Sequence, residues 1–462
     1  MSRIRFVLLG VVLLLAGCGE RALPGLPPAT ARVTLTPGRP EPAPATPVAT
    51  EKLAPTATVP AAPTATMVAR ETPEPGPDRG PFPAGEEARC GVLLPVLPAS
   101  SPVETLNLDG TQSLEAIPEA ARPALARILE APEAVGLVAY EVGQEEAGLF
   151  LNAQIPMPLA SVVKIVHLIA YAEAIQAGEL DPQMPVPLAE MEQFYLRNSD
   201  LNAHPEAVEA LRAEGLVSGD PPSVPLEMVP RMMIEFSSNA ATDYLHQLLG
   251  QERLEETILD LGMSSHTAPC PFLGQFLLMG TGDAIAEVEA YLEDPASYSR
   301  DVWAVTEAYV AGESVTSGWR GRERRPSLET QAYFSEELNA QASAGDYAAL
   351  MAQIAENELG PWEQSVRIRR YLEWPTFFDV NQRTLAWLGY KGGSLPGILT
   401  VAYYAQPWDA ERPVVVVLFF RDLPLSTFRQ WRRNLPHDEL ARWLLYEREA
   451  IPLVREMLAT GD

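Results

Sequence analysis

Apolar positions run in short blocks near the two ends of the folded part of the chain and take helical spacing in its middle. Residues 114–131 have that helical spacing, with Pro118 and Pro123 marking breaks or a first turn. Two strand-like runs follow, Gly136–Val142 and Gly148–Leu151, on either side of the turn-like Gly143-Gln144-Glu145-Glu146. Residues 162–178 are apolar on nearly every face, which predicts a helix buried all round. From there to about 372 helical spacing dominates, as in Asn239–Leu249 stopped by Gly250, Ala284–Leu292 and Asp346–Asn357. Strand patterns return at Leu385–Lys391, Ile398–Tyr404 and Val414–Phe420, the last two joined by a hairpin turn at Gln406–Pro413. An amphipathic helix over Asp438–Leu458 ends the chain, with a kink expected at Pro452.

This order predicts an α/β (α+β) fold. Two early and three late strands form one five-stranded antiparallel sheet, terminal helices cover a face, and an all-helical lobe is inserted between. The α/β part spans about 100–160 and 375–462, and the lobe about 161–374. A ligand cleft is expected between the two.

The N-terminus belongs to no such domain. Arg3 and Arg5 precede an apolar run from Phe6 to Leu15, too short to span a bilayer, so residues 1–18 read as a signal peptide. The ending Leu15-Ala16-Gly17-Cys18 resembles a bacterial lipobox. That implies cleavage before Cys18, lipid on its sulfur, and an exported protein anchored to a membrane and facing the extracytoplasmic side. An ordinary secretory signal with a chance cysteine is the alternative. Residues 19–88 are crowded with Pro, Thr and Ala and lack apolar periodicity, which predicts a disordered stalk before a domain at 89–462. Two further cysteines, Cys90 and Cys270, suggest a disulfide in an exported protein, with two free buried thiols as the alternative.

Charge narrows the function. The formal net charge is −27, so nucleic acid is excluded as a partner. Of 34 basic residues, 31 are arginine; the lysines are Lys52, Lys164 and Lys391. A surviving Lys marks a place where Arg cannot serve, unless codon bias left the three by accident. His167, His204, His246, His266 and His437 show no ligand spacing, so no metal is expected. The arginines of Trp319–Arg325 read as a solvated cluster, with an anionic polymer as the other option.

Lys164 lies in Ser161-Val162-Val163-Lys164 at the start of the buried helix. Three residues apart, hydroxyl and amine share a face, and a helix N-terminus inside apolar surroundings favours neutral Lys as a proton acceptor. Arg could not take that role. Ser237-Ser238-Asn239 places a second hydroxyl and an amide just before a helix, and Lys391-Gly392-Gly393-Ser394 ends a strand where substrate can lie against backbone. Together, in this order, the three motifs resemble the class A β-lactamase and penicillin-binding protein superfamily of serine hydrolases.

That resemblance implies a β-lactamase/transpeptidase-like fold and specific roles. Ser161 would be the acylated nucleophile and Lys164 its base. Ser237 would pass the proton to the leaving nitrogen, and Asn239 would hold the substrate amide and the Lys164 ammonium. Lys391 would attract a substrate carboxylate, Gly393 would let the substrate lie against the strand backbone, and the Ser161 and Ser394 amides would form the oxyanion hole. The implied partner is a small β-lactam or a D-Ala-type peptidoglycan peptide, bound by a monomer without cofactor. Three departures stand out: Ser238 where the family has Asp, Gly392 where it has Thr, and Ser335 in Ser335-Glu336-Glu337-Leu338-Asn339 where it has the deacylating Glu. Glu336 could substitute if the loop is shifted. Otherwise the protein would acylate and stay acylated, or serve as a non-catalytic wall-binding module.

Overall fold

The computed structural model describes residues 90–92, 114–279, 283–319 and 325–458. The signal segment with Cys18, the stalk and Arg320–Arg324 lie outside them. Helix α1 (Arg122–Glu130) opens with Pro123 in its first turn, where a missing N–H costs nothing. Strands β1 (Val135–Glu141) and β2 (Leu149–Leu151) form a hairpin. The middle contributes α2 (Lys164–Gln176), α3 (Ala203–Ala213), α4 (Asn239–Leu249), α5 (Phe272–Leu278), α6 (Leu328–Leu338) and α7 (Ala344–Glu356). Strands β3 (Leu385–Leu395), β4 (Ile398–Pro407) and β5 (Val414–Phe420) precede α8 (Leu425–Asn434), α9 (Pro436–Tyr446) and α10 (Ala450–Leu458).

The five strands form one antiparallel sheet in the order β2-β1-β5-β4-β3, so early and late strands join as the pattern predicts. Antiparallel sheets with one wet face alternate apolar and polar residues, but β5 reads VVVVLFF without a break. Both its faces are covered. Val415, Val417 and Phe419 pack into the core shared with the middle helices, whereas Val416, Leu418 and Phe420 pack with Phe428, Trp431, Leu440 and Leu444 of the C-terminal helices. Cys90 and Cys270 form a disulfide with Cα atoms 4.8 Å apart, and paired backbone hydrogen bonds from Gly91 and Ala268 flank it.

Three details differ from the pattern. The middle lobe is not all helical: within it Pro185–Pro187 pairs with Ser223–Pro225, as prolines that cannot continue a helix still fit short extended ribbons, and Gln341–Ser343 pairs with Pro156–Pro158 just before the lobe. The C-terminal helix divides after Tyr446, where Glu447 leaves the helical region (φ −109°, ψ 108°). Pro452 therefore sits near the start of α10 and kinks nothing. Strand β3 also runs on through Gly392 and Gly393 to Leu395, so the lysine motif lies within it.

The sequence from 271 to 333 adds helices Ala284–Glu293 and Pro295–Val310. The second crosses α5 at Gly274, where a Cβ would stand 2.3 Å from the Val302 carbonyl oxygen. From this segment Trp319 Nε1 donates to Arg197 O at 3.3 Å, and the Tyr309 hydroxyl donates to Tyr195 O at 3.4 Å.

Candidate active site

Ser161 lies in the 3₁₀ turn Ala160–Val163, and Lys164 opens α2. The turn is fixed on all sides. Leu159 N–H donates to Ala340 O at 2.9 Å, Ala160 N–H to Asn339 Oδ1 at 2.9 Å, and the Thr400 hydroxyl to Leu159 O at 2.9 Å. Ala160 is left-handed at φ 47°, a strained conformation that surrounding bonds must hold. Opposite Thr400 in the β3–β4 register stands Gly393, and a Cβ there would lie 2.7 Å from Ser161 N. Only glycine lets the strand approach the nucleophile's backbone so closely.

The second motif enters from the start of α4. Ser237 is left-handed at φ 68°, and Ser238 caps the helix by accepting the Ala241 N–H at 3.1 Å. Lys164 Nζ donates to Ser237 O at 2.6 Å, Asn239 Oδ1 at 2.7 Å and Ser237 Oγ at 3.3 Å. Lys391 Nζ donates to the same Ser237 Oγ at 3.0 Å and to Gly392 O at 2.7 Å. Both lysines of the described residues thus meet on one hydroxyl. Among the described residues no hydrogen bond links Lys164 to Ser161 Oγ; in this state the amine is held by Ser237 and Asn239.

Burial sets the electrostatics. Lys164 is fully buried, and desolvation lowers its pKa to about 7 against the opposing pull of Asp200 and Asp243. Burial and the neighbouring Lys164 push Lys391 well below the usual lysine range. The Phe272 ring lies 5.0 Å from Lys164 Nζ. It is placed by Asp243 of α4, whose oxygens accept the Phe272 and Leu273 N–H groups at 2.9 and 2.7 Å. Burial raises Asp243 to about 7. Sequence reasoning missed Asp243, Phe272 and Asp200. Asp243 was findable, since it lies four residues after Asn239 on a helix whose neighbouring positions Ala240, Ala241 and Leu245 are buried.

Ser335 lies in α6, not in a loop, and is almost wholly buried with no hydrogen bond to its hydroxyl among the described residues. With Gln275 and Asn339 it forms the polar wall of a small cavity closed by Phe272, Phe276 and Leu395. Glu336 does not line this cavity; its carboxylate lies 3.7 Å from Arg421, and burial raises its pKa to about 7. His167 is buried against His246, with ring nitrogens 3.4 Å apart, and burial holds its pKa well below the usual value. Among the described residues no group of three or more His, Cys, Asp or Glu is placed to hold a metal, and no helix is long and apolar enough to cross a membrane.

Residues 120–424 match the family model described as the β-lactamase enzyme family. Similar solved structures include a β-lactamase from Sphaerobacter thermophilus, at 19% identity over 70% of this chain and 94% of that one, with a TM-score of 0.41. A carbapenemase from Vibrio cholerae is 12% identical over 70% of this chain and 99% of its own, with a TM-score of 0.42. PBP-A is 14% identical over 70% of this chain and 96% of its own, with a TM-score of 0.39. No curated protein matches the chain.

Proposed function

The chain belongs to the β-lactamase enzyme family, and from that premise we propose that it is a serine hydrolase working through an acyl-enzyme on Ser161. The observation that carries the reading is the convergence of Lys164 and Lys391 on Ser237 Oγ, beside the turn that presents Ser161. Ser161 Oγ would attack the substrate carbonyl carbon and lose its proton to neutral Lys164. Catalytic hydrogen bonds are often long in free enzymes and tighten around substrate, so the Ser161–Lys164 contact would close in the complex. The Ser161 and Ser394 N–H groups would receive the developing oxyanion. Ser237 would hand a proton to the leaving nitrogen and take one from Lys164.

Burial, and secondarily the neighbouring Lys164, disfavours the charge on Lys391, and a ligand carboxylate beside it would offset that cost. That suits a β-lactam or a D-Ala-type peptide. Export and anchoring through Cys18 belong to the same proposal and rest on the sequence Leu15-Ala16-Gly17-Cys18 alone.

A second reading is favoured by Ser335. With a hydroxyl, not a carboxylate, in the cavity beside Asn339, no base there activates a deacylating water, and the adduct would persist as in a penicillin-binding protein. Incubation with a labelled penicillin followed by intact mass decides both points. An adduct on wild type that disappears in Ser161→Ala is expected. No adduct, or one that survives the substitution, sinks the hydrolase reading in favour of a wall-binding module. Turnover in seconds indicates a β-lactamase; an adduct lasting hours indicates the slower class.

A further inference from the structure

A hydrogen-bonded chain leads from the nucleophile's turn to the disulfide. Ala160 N–H donates to Asn339 Oδ1 at 2.9 Å, Asn339 Nδ2 to Gln275 Oε1 at 3.3 Å, and Gln275 Nε2 to Cys270 O at 2.9 Å. Cys270 is joined covalently to Cys90, and all five residues are buried. The two ends fix the direction of the chain. A backbone N–H can only donate and a backbone carbonyl only accept. Asn339 must therefore present oxygen to Ala160 and nitrogen to Gln275, and Gln275 must present oxygen to Asn339 and nitrogen to Cys270. Turning either amide over would set donor against donor and acceptor against acceptor inside the protein.

The far end is held firmly. Before Cys270, besides the bridge itself, Gly91 N–H donates to Ala268 O at 2.7 Å and Ala268 N–H to Val92 O at 2.9 Å. After it, Asp243 accepts the Phe272 and Leu273 N–H groups at 2.9 and 2.7 Å. The near end carries strain. Ala160 is left-handed at φ 47° without the freedom of glycine, and such a conformation persists only where its surroundings over-determine it. Of the three bonds that fix the turn, two end on Leu159, and the bond from Asn339 is the one that reaches Ala160 itself. Gln275 thus connects the strained residue beside the nucleophile to a covalently fixed point.

We propose that Gln275 is a positioning residue of this site, through which the Cys90–Cys270 bridge holds Ala160, and with it Ser161, in place. The chain stands on its own bonds; its use in catalysis rests on the acyl-enzyme reading above. Cutting it at either link, bridge or amide, frees Asn339 to turn and lets the Ala160 backbone relax away from its left-handed conformation. Ser161 then spends less time where its hydroxyl can attack.

Acylation by a labelled penicillin and hydrogen exchange at the Ala160 amide test this together, both well below the melting temperature of each variant. Gln275→Met keeps the length of the side chain and removes both of its bonds. It is expected to acylate about tenfold more slowly and to exchange the Ala160 proton about tenfold faster, while amides of the sheet exchange as in wild type. Cys90→Ala with Cys270→Ala should do the same, and adding Gln275→Met to that pair should change either value by less than about twofold, because a chain cut once is not cut again. Effects that add, or an Ala160 amide protected as in wild type in folded Gln275→Met, overturn the proposal. So does a wild-type acylation rate in a variant whose Ala160 amide has loosened. Should the bridge variant not fold, Gln275→Met and Gln275→Glu decide alone: glutamate still accepts from Asn339 but sets an acceptor against Cys270 O, so it must also speed exchange. Exchange needs no catalysis. A protein whose Ala160 amide responds but which never acylates loses the hydrolase reading and keeps the chain.

Discussion

Gly393→Ala tests how closely the nucleophile and the sheet must fit. The added Cβ would meet Thr400 Oγ1 at 2.4 Å, Ser161 N at 2.7 Å and Leu159 O at 2.8 Å. Two of these are backbone atoms, and the Thr400 hydroxyl is itself bonded to Leu159 O, so no flexible side chain can swing aside. Ordinary contact begins near 3.4 Å, so strand and turn must separate by about 0.7 Å. Overpacking of this kind costs roughly 1–3 kcal/mol of stability. It also moves the Ser161 amide away from the oxyanion position, where a misplacement near 1 Å costs on the order of 100-fold in rate. The assay is the second-order acylation rate with a labelled penicillin, read beside a thermal melt. The expected variant is folded, somewhat less stable and acylates 30- to 100-fold more slowly (an order-of-magnitude figure). Gly392→Ala is the comparison variant, since its Cβ would crowd Tyr390 (hydroxyl oxygen at 2.2 Å, Cζ at 2.9 Å) with no Ser161 or Leu159 atom among its three nearest neighbours. If Gly393→Ala acylates within about threefold of wild type, the close-approach argument is wrong.

Other outcomes follow from the same geometry. Lys164→Arg should abolish acylation because guanidinium keeps its proton, whereas Lys391→Arg, which keeps the charge, should leave a measurable rate; equal acylation by both would refute the lysine argument. With Lys164 lowered to about 7 and needed neutral, the acylation rate should climb about tenfold per pH unit below that value and level off above it. A profile flat across this range would exclude Lys164 as the base. Ser335→Glu places a carboxylate in the cavity beside Asn339 and should shorten the adduct lifetime at least tenfold or so, followed by mass against time. An unchanged lifetime would show that deacylation is limited elsewhere.

Much of this was legible in the sequence, for identifiable reasons. Each strand of the sheet is a run of apolar residues between turn signals, so the order of early and late strands could be read directly. Ser161, Lys164, Ser237, Asn239 and Lys391 sit in short motifs whose spacing is local, and folding brings Lys164, Ser237, Asn239 and Lys391 into direct hydrogen-bond contact. The three-residue ribbons are too short to show a period. The division of the last helix lies in a stretch whose spacing stays helical, with no glycine to announce it. The left-handed turn at Asn198, Leu201 and Asn202 was beyond reach because no propensity favours Leu201 there. Glu336 has the right chemistry one position past the motif's own, and its place against Arg421, outside the cavity wall, depends on the turn of α6 and not on the motif.

The sheet order has a consequence for how the molecule is made. β1 has β2 on one side and β5 on the other, and Val135–Glu141 cannot meet Val414–Phe420 until nearly the whole described chain has been produced. Until then the hairpin of β1 and β2 exposes an apolar edge, and α2, which begins with Lys164, lacks the strands that face it. Closing so long a loop is slow and leaves an edge open to pairing with other chains. A chain truncated before β5 should therefore aggregate without any active site forming. A circular permutant that starts just before β5 and links α10 to α1 leaves only terminal helices between β5 and β1 in the chain, and should fold faster with the same site.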